Sequence, residues 1–301
     1  MKIAIIGLGK MGLNIAKKLS ISGFQVAGFD IARKPASSLP GENFYLAKSL
    51  ADAVNCLQSP RVVWMMLPSG NETEIAIEQL SKILSPDDII VDGGNSNYKD
   101  TLRRGELLVG KRCKFIDVGV SGGIWGFDNG YCLMVGGEHN SVENLKEIFN
   151  VLATNGSNGW DHLGPLGAGH YAKMIHNGIE YGMMQAYAEG LELAHSNKQI
   201  PIDLEKITRL WQHGSVIRSW LLDITHTSIK SNPNLDQILP VVPDSGEGRW
   251  FAIEAIEQGI STPVISQALN MRLQSQNKFS LGLKILSVMR NAFGGHEIYK
   301  K

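Results

Sequence analysis

Lys2-Ile3-Ala4-Ile5-Ile6-Gly7-Leu8-Gly9-Lys10-Met11-Gly12 is the stretch from which the fold is read. A short apolar run gives way to a glycine-rich turn, and Lys10–Ser22 then takes up helical spacing. A lone G-x-G-x-x-G is weak evidence, but between a strand and a helix it acquires a physical meaning. Gly7 permits the tight turn, Gly9 lets backbone approach a pyrophosphate, and Gly12 allows close helix–strand packing. The helix start, with Leu8, Lys10 and Met11 around it, offers N–H groups and a positive dipole end to an anion.

Gln25–Asp30 reads as the next strand and ends on a carboxylate. Asp30 suits the adenosine ribose hydroxyls and repels a 2′-phosphate, which favours NAD. Arg33 and Lys34 lie close behind and are the groups that would hold a 2′-phosphate, so NADP stays as the alternative.

Further strand patterns follow at Arg61–Leu67, Asp88–Asp92, Cys113–Val118 and Cys132–Val135. Helical patterns lie between most of them, at Ser49–Gln58, Asn71–Leu84, Asn97–Val109 and Asn140–Ala153. Apolar strands alternating with helices predict a mainly parallel, doubly wound sheet of Rossmann type. Beyond Gly164–Gly169 the character changes to helices: a long one through Ala194, then Asp203–Gln212, Val216–Ile229, Gly248–Gln258, Pro263–Ser275 and Leu281–Ala292. The expected architecture is an α/β Rossmann-type doubly wound domain, residues 1–165, followed by an all-α domain, residues 166–301.

In a doubly wound sheet, ligands gather at the carboxyl ends of strands. Three turns qualify: Leu67-Pro68-Ser69-Gly70, Gly93-Gly94-Asn95-Ser96 and Val120-Ser121-Gly122-Gly123. Asn95 and Ser96 are placed to bond both cofactor and substrate. The backbone N–H groups of the third turn suit a carboxylate.

The stretch from Gly169 to Glu180, G-H-Y-A-K-M-I-H-N-G-I-E, opens the long helix. Lys173, His176, Asn177, Glu180 and Tyr181 recur at three- and four-residue steps and share one face. A solvated face carries many charges of both signs. This stripe mixes one cation, one anion, an imidazole, an amide and a phenol between apolar flanks. Gly178 and Gly182 beside it allow a close approach to the backbone.

Composition bounds the function. The 301 residues hold 29 Lys plus Arg against 29 Asp plus Glu, and without a basic run this balance argues against nucleic acid. No run of eighteen apolar residues appears, so no membrane span is expected. The first strand pattern starts at Lys2, which leaves no room for a signal peptide, and a cytoplasmic location is the default. The three cysteines, Cys56, Cys113 and Cys132, form no metal-binding spacing and are expected as small buried residues; no metal is expected.

Pieces along the whole chain carry a resemblance. They are I-G-L-G-K-M-G at Ile6–Gly12, M-M-L-P at Met65–Pro68, V-D-G-G-N-S at Val91–Ser96, G-V-S-G-G at Gly119–Gly123, and L-M-V-G-G at Leu133–Gly137. The helix Gly169–Gly182 and the tail R-N-A-F-G-G-H at Arg290–His296 complete the set. In these the chain resembles the decarboxylating 6-phosphogluconate dehydrogenases, within the β-hydroxyacid dehydrogenase group. The resemblance implies conversion of 6-phosphogluconate to ribulose 5-phosphate and carbon dioxide with reduction of NAD(P), a step of the pentose phosphate pathway. It makes Lys173 the general base and later acid, and Glu180 the second acid. It sets Asn95, Ser121, Gly122, Gly123, His176, Asn177 and Tyr181 along the substrate, and Arg272, Arg290 and His296 at its phosphate end. It also puts the tail in the neighbouring subunit's site, so a homodimer is the minimum assembly and a tetramer the alternative. The chain departs from the long form of the family in having room for one helical domain only. Asp244-Ser245-Gly246-Glu247-Gly248-Arg249 also replaces a Lys- and Thr-containing loop, with Ser245 where a phosphate-binding Lys would sit.

The chemistry asks for such groups. Oxidising a 3-hydroxy acid requires removal of the hydroxyl proton as hydride leaves, which a neutral lysine can do. The resulting 3-keto acid loses carbon dioxide because the ketone accepts the electrons. The enediol left behind needs a proton from elsewhere. Glu180 stands seven residues on from Lys173, about two turns or roughly 10 Å along the axis, so both reach one extended sugar acid. Two alternatives share the fold: a non-decarboxylating 3-hydroxyacid dehydrogenase, in which Glu180 and the tail have no evident task, and a non-enzymatic nucleotide sensor, which leaves the whole stripe unexplained.

Overall fold

The computed structural model describes residues 1–32, 41–111, 113–233, 235–277, 280–294 and 297–299. Arg33, Lys34 and His296 lie outside the described residues. The chain separates into two compact units, Met1–His176 and Asn177–Lys301.

The first unit runs β1 (Lys2–Ile6), α1 (Lys10–Ile21), β2 (Gln25–Phe29), β3 (Phe44–Leu46), α2 (Leu50–Asn55), β4 (Val62–Met65), α3 (Asn71–Ile83), β5 (Ile89–Asp92) and α4 (Tyr98–Val109). It continues through β6 (Lys114–Ser121), α5 (Gly126–Asn129), β7 (Cys132–Gly137), α6 (His139–Glu143), α7 (Lys146–Leu152) and β8 (Trp160–Gly164). The strands form one sheet in the order β3-β2-β1-β4-β5-β6-β7-β8. Neighbours are parallel except β6 and β7, which are antiparallel. Strand order reverses between β1 and β4, and a doubly wound sheet opens its ligand crevice at that point.

The strand period of two builds a core on each face. Ile3, Ile5, Trp64, Ile89 and Val91 pack on one side with Ile15 and Leu19 of α1 and Phe149 of α7. Ala4, Ile6, Val63, Met65 and Ile90 pack on the other with Ala53, Ile77, Leu80 and Leu108 from α2, α3 and α4. Truncating such a fully buried leucine to alanine costs about 2–5 kcal/mol.

In the second unit the long helix α8 (Ala168–Ser196) continues, followed by α9 (Leu204–Trp211), α10 (Trp220–Ser231), α11 (Glu247–Glu257), α12 (Pro263–Gln276) and α13 (Leu281–Gly294). Strands end with β8 among the described residues. The Gly178 backbone is closely approached as expected: a Cβ there would stand 2.6 Å from the Phe251 ring.

Several expectations need correction. Asn140–Ala153 is two helices, broken where Leu145 leaves helical geometry at φ −104°, ψ 6°. Val216–Ile229 begins later, because the Ser219 hydroxyl accepts from Leu222 N and starts α10 after it. Cys113 is buried, but Cys56 is only half-buried and Cys132 is exposed, at the end of the ladder where it pairs with Ser121.

Candidate active site

The glycine turn after β1 is shaped for close approach. Gly7 has φ 91°, and a Cβ there would stand 2.5 Å from the Met66 carbonyl oxygen. A Cβ on Gly12 would run into the Gly7 carbonyl, whereas one on Gly9 would meet nothing within 4 Å. The first turn of α1 carries no acidic residue and no side-chain cap. No side chain caps its N–H groups, so they can be taken by an anion such as a pyrophosphate. Asp30 follows β2, and its Oδ2 accepts from Leu8 N at 2.6 Å while Oδ1 accepts from Ala32 N at 2.8 Å. These bonds fix the carboxylate beside the turn and leave lone pairs for ribose hydroxyls, since a carboxylate has about four acceptor positions. Turn and carboxylate together fit a dinucleotide.

Beyond β4, Leu67 is half-buried and Pro68 exposed, with the Pro68 carbonyl held by the Thr73 hydroxyl at 2.8 Å. Beyond β5, Asn95 is exposed, but Ser96 is buried and donates to Asp92 Oδ2 at 2.8 Å. The expectation for Ser96 is therefore corrected, since it is a structural donor, while the exposed Asn95 stays open to a ligand.

Lys173 and His176 lie on α8 above β6. Gly119 of β6 makes this possible, since a Cβ there would stand 2.5 Å from Lys173 Cβ. Asp117 fixes the start of the helix, its carboxylate accepting from Gly167 N and His170 N, each at 2.7 Å. Lys173 is 9% exposed. Its Nζ is 3.4 Å from His176 Nδ1, and His176 Nε2 is 3.2 Å from Ser121 Oγ. The imidazole thus links the strand-end serine to the helix lysine. It can serve either state of the amine: Nδ1–H donates to a neutral Lys173, or an ammonium donates to a bare Nδ1. Next to Ser121, the Gly122–Gly123 backbone turns at φ 129° and 54°. The buried Tyr131 ring backs it, 3.2 Å from a Cβ on Gly122, and burial pushes the Tyr131 phenol up to about 12, keeping it neutral.

The rest of the stripe belongs to the second unit. Asn177 and Tyr181 are buried, and Glu180 is half-buried. The Tyr181 hydroxyl is buried with no hydrogen-bond partner among the described residues. The Arg272 guanidinium lies 3.6 Å from the centre of the Tyr181 ring, and its Nη1 reaches the Pro243 carbonyl at 3.5 Å. Ser245 donates to Glu247 Oε2 at 2.6 Å, and Arg249 pairs with Asp244 at 2.8 Å. Arg290 is exposed on α13. Among the described residues, no group of three or more His, Cys, Asp or Glu can hold a metal ion. None of their helices is long and apolar enough to cross a membrane.

A Rossmann-type sheet with a glycine turn fit for a dinucleotide, followed by helices that carry a buried lysine, is the architecture of a nicotinamide-dependent oxidoreductase. Two family models then account for nearly all of the chain. Residues 2–161 match the NAD binding domain of 6-phosphogluconate dehydrogenase, and residues 169–298 match the 6-phosphogluconate dehydrogenase C-terminal domain. The chain belongs to the 6-phosphogluconate dehydrogenase family and is an NAD(P)-dependent oxidoreductase. It is 40% identical over the whole of both chains to YqeC of Bacillus subtilis (strain 168), a protein named provisionally as a 6-phosphogluconate dehydrogenase. It is 35% identical, over 100% of this chain and 99% of the other, to the NAD(+)-dependent, decarboxylating 6-phosphogluconate dehydrogenase of Haloferax volcanii. The Plasmodium falciparum 6-phosphogluconate dehydrogenase, solved with NADP+ and with 6-phosphogluconate, superposes with TM-score 0.81 at 28% identity, covering 100% of this chain and 66% of that one.

Proposed function

We propose that the protein oxidatively decarboxylates 6-phosphogluconate to ribulose 5-phosphate and carbon dioxide with NAD, in the pentose phosphate pathway of the cytoplasm. The observation that carries this reading is the buried Lys173, tied through His176 to Ser121 on the helix that presents Glu180 two turns on. In this reading residues 1–165 bind the dinucleotide and residues 166–301 bind substrate and a second copy of the chain.

NAD, held by the glycine turn and Asp30, would supply the hydride acceptor for the hydroxyl-bearing carbon. Lys173 takes the hydroxyl proton, and its ammonium then polarises the new ketone oxygen while the carboxylate departs as carbon dioxide. Electrons of the broken carbon–carbon bond pass to the ketone oxygen, which takes the proton back from Lys173 and gives an enediol. Glu180 delivers a proton to the terminal carbon as Lys173 takes the enediol hydroxyl proton again, which leaves the ketose. Asn95, Ser121, His176 and Asn177 orient the hydroxyls, and the backbone of Gly122 and Gly123 faces the carboxylate. Gly7, Leu8, Gly9, Lys10, Met11 and Gly12 cradle the pyrophosphate, Leu67 and Pro68 flank the coenzyme, and Asp30 selects against a 2′-phosphate, with Arg33 as the opposing cation.

The phosphate end draws on Tyr181 and Arg272, supported by a buried phenol that has no hydrogen-bond partner among the described residues and lies beneath a guanidinium. Ser245, bound to Glu247, supplies no cation there. Arg290 and His296 from a second subunit complete the grip. A homodimer is supported by the apolar surface of α13, where Leu281, Leu283, Ile285, Leu286, Val288 and Met289 are all exposed. The test follows NADH absorbance and carbon dioxide release together from 6-phosphogluconate. Equal amounts are expected; reduction without carbon dioxide would move the protein to the non-decarboxylating class.

A further inference from the structure

Beneath the coenzyme crevice lies a charged network that the proposed chemistry does not use. Arg104 of α4 is fully buried, as is Asp92 at the end of β5. Arg104 Nη1 donates to Asp92 Oδ2 at 3.3 Å and to Ser96 Oγ at 3.1 Å. Its Nε donates to Glu74 Oε1 at 2.8 Å, and its Nη2 reaches the Gly70 carbonyl at 3.5 Å. Asp92 also accepts from Gly94 N at 3.1 Å through Oδ1.

These partners fall into two groups. Gly70 and Glu74 belong to the turn after β4 and the first turn of α3. Asp92, Gly94 and Ser96 belong to the turn after β5. The two turns touch directly, since a Cβ on Gly94 would stand 2.6 Å from the Leu67 carbonyl oxygen. One guanidinium therefore binds both turns of the crevice from below, while the exposed Asn95 stands on top of the second.

Stability alone does not account for the arrangement, because a buried ion pair is often no better than an apolar replacement of the same volume. What a planar five-donor fork offers is fixed geometry between several acceptors, which a single ammonium cannot span. We infer that Arg104 is a positioning residue: it locks the turn after β4 to the turn after β5 and so sets where Asn95 stands relative to Leu67 and Pro68. This rests on reading the crevice as the coenzyme site. Misplacing such groups by about 1 Å costs on the order of a hundredfold in rate.

The experiment compares the full-length wild type with Arg104→Lys, measuring NADH affinity by fluorescence titration, kcat and KM with 6-phosphogluconate, and Tm. Arg104→Lys is expected to weaken NADH binding roughly tenfold and to lower kcat further, with KM for 6-phosphogluconate changed by less than about threefold. Val142→Ala, a core truncation on α6, supplies a variant of reduced Tm that is expected to keep wild-type NADH affinity. If Arg104→Lys does not fold, Glu74→Ala removes one anchor at a partly exposed position and is expected to weaken NADH binding roughly threefold. Wild-type NADH affinity in a folded Arg104→Lys, a loss no larger than that of Val142→Ala, or no change in Glu74→Ala where it is the variant read, would overturn the inference. A wild type that binds NADH but makes none from 6-phosphogluconate would sink the proposed function instead, and the clamp would still be read from the NADH affinities.

Discussion

In the proposed mechanism Lys173 and Glu180 divide the proton work, and substitution separates them. Lys173→Met is expected to abolish oxidation, while Glu180→Gln slows turnover by at least about a hundredfold, a usual scale for a lost general acid. Both are expected to bind NADH like wild type in a fluorescence titration. Equal, mild losses in the two variants would refute the assignment. Asp30 is tested by coenzyme choice. Asp30→Ala is expected to raise the ratio of NADP to NAD in kcat/KM. It also strips an acceptor from Leu8 N and Ala32 N, at a stability loss of about 1 kcal/mol or more. A wild type that prefers NADP, or an unchanged ratio in the variant, would contradict the role given to this carboxylate.

Among the elements, α8 depends on how closely it lies on β6. Gly119→Ala puts a methyl against Lys173 Cβ, so about 1–3 kcal/mol of stability and most of kcat are expected to go together. Full activity in that variant would mean the helix has room to spare. The junction of α3 and α4 has a pH signature. Burial alone would raise the Glu74 carboxyl, but hydrogen bonds from Arg103 and Arg104 outweigh it and hold the group below its ordinary value of 4.5. A lowered folded value gives stability that is present above the unfolded carboxylate range and is lost as pH falls through the folded one. The Tm gap between wild type and Glu74→Ala is therefore expected to be wide near neutrality and to close below about pH 4. A gap that stays constant with pH would remove the charge from the explanation.

The same scale marks how far the sequence could be read. Apolar runs such as Ile89–Val91 and the helical spacing of α3 and α4 left little choice, because each period was unbroken along its element. β3 and β8 were not anticipated: Phe44–Leu46 is three residues long, and Trp160–Gly164 mixes Asp and His into its run. The shared face of α8 was legible from its three- and four-residue steps. The link from Lys173 through His176 to Ser121 was not, because it joins residues far apart in the chain. Arg104 was hidden for the same reason, sitting in a helix pattern where an arginine reads as solvated surface. Ser96 was misread because a serine after a glycine turn looks the same from sequence whether it faces ligand or a buried aspartate.

On the scale of the whole molecule, the proposed account needs two chains. Truncation from Arg290 onward is expected to raise KM for 6-phosphogluconate far more than KM for NAD, since a doubly charged phosphate needs several charge-assisted donors. Mixing the truncated chain with Lys173→Met is expected to restore part of the activity, through composite sites with Lys173 from one chain and the tail from the other. Full activity of the truncated chain, or no recovery on mixing, would return the tail to a purely structural role. The central claim, decarboxylating oxidation on one helix face, is tested most directly by the carbon dioxide to NADH ratio during turnover of 6-phosphogluconate. The account predicts one to one for the wild type; NADH formed without carbon dioxide would contradict it.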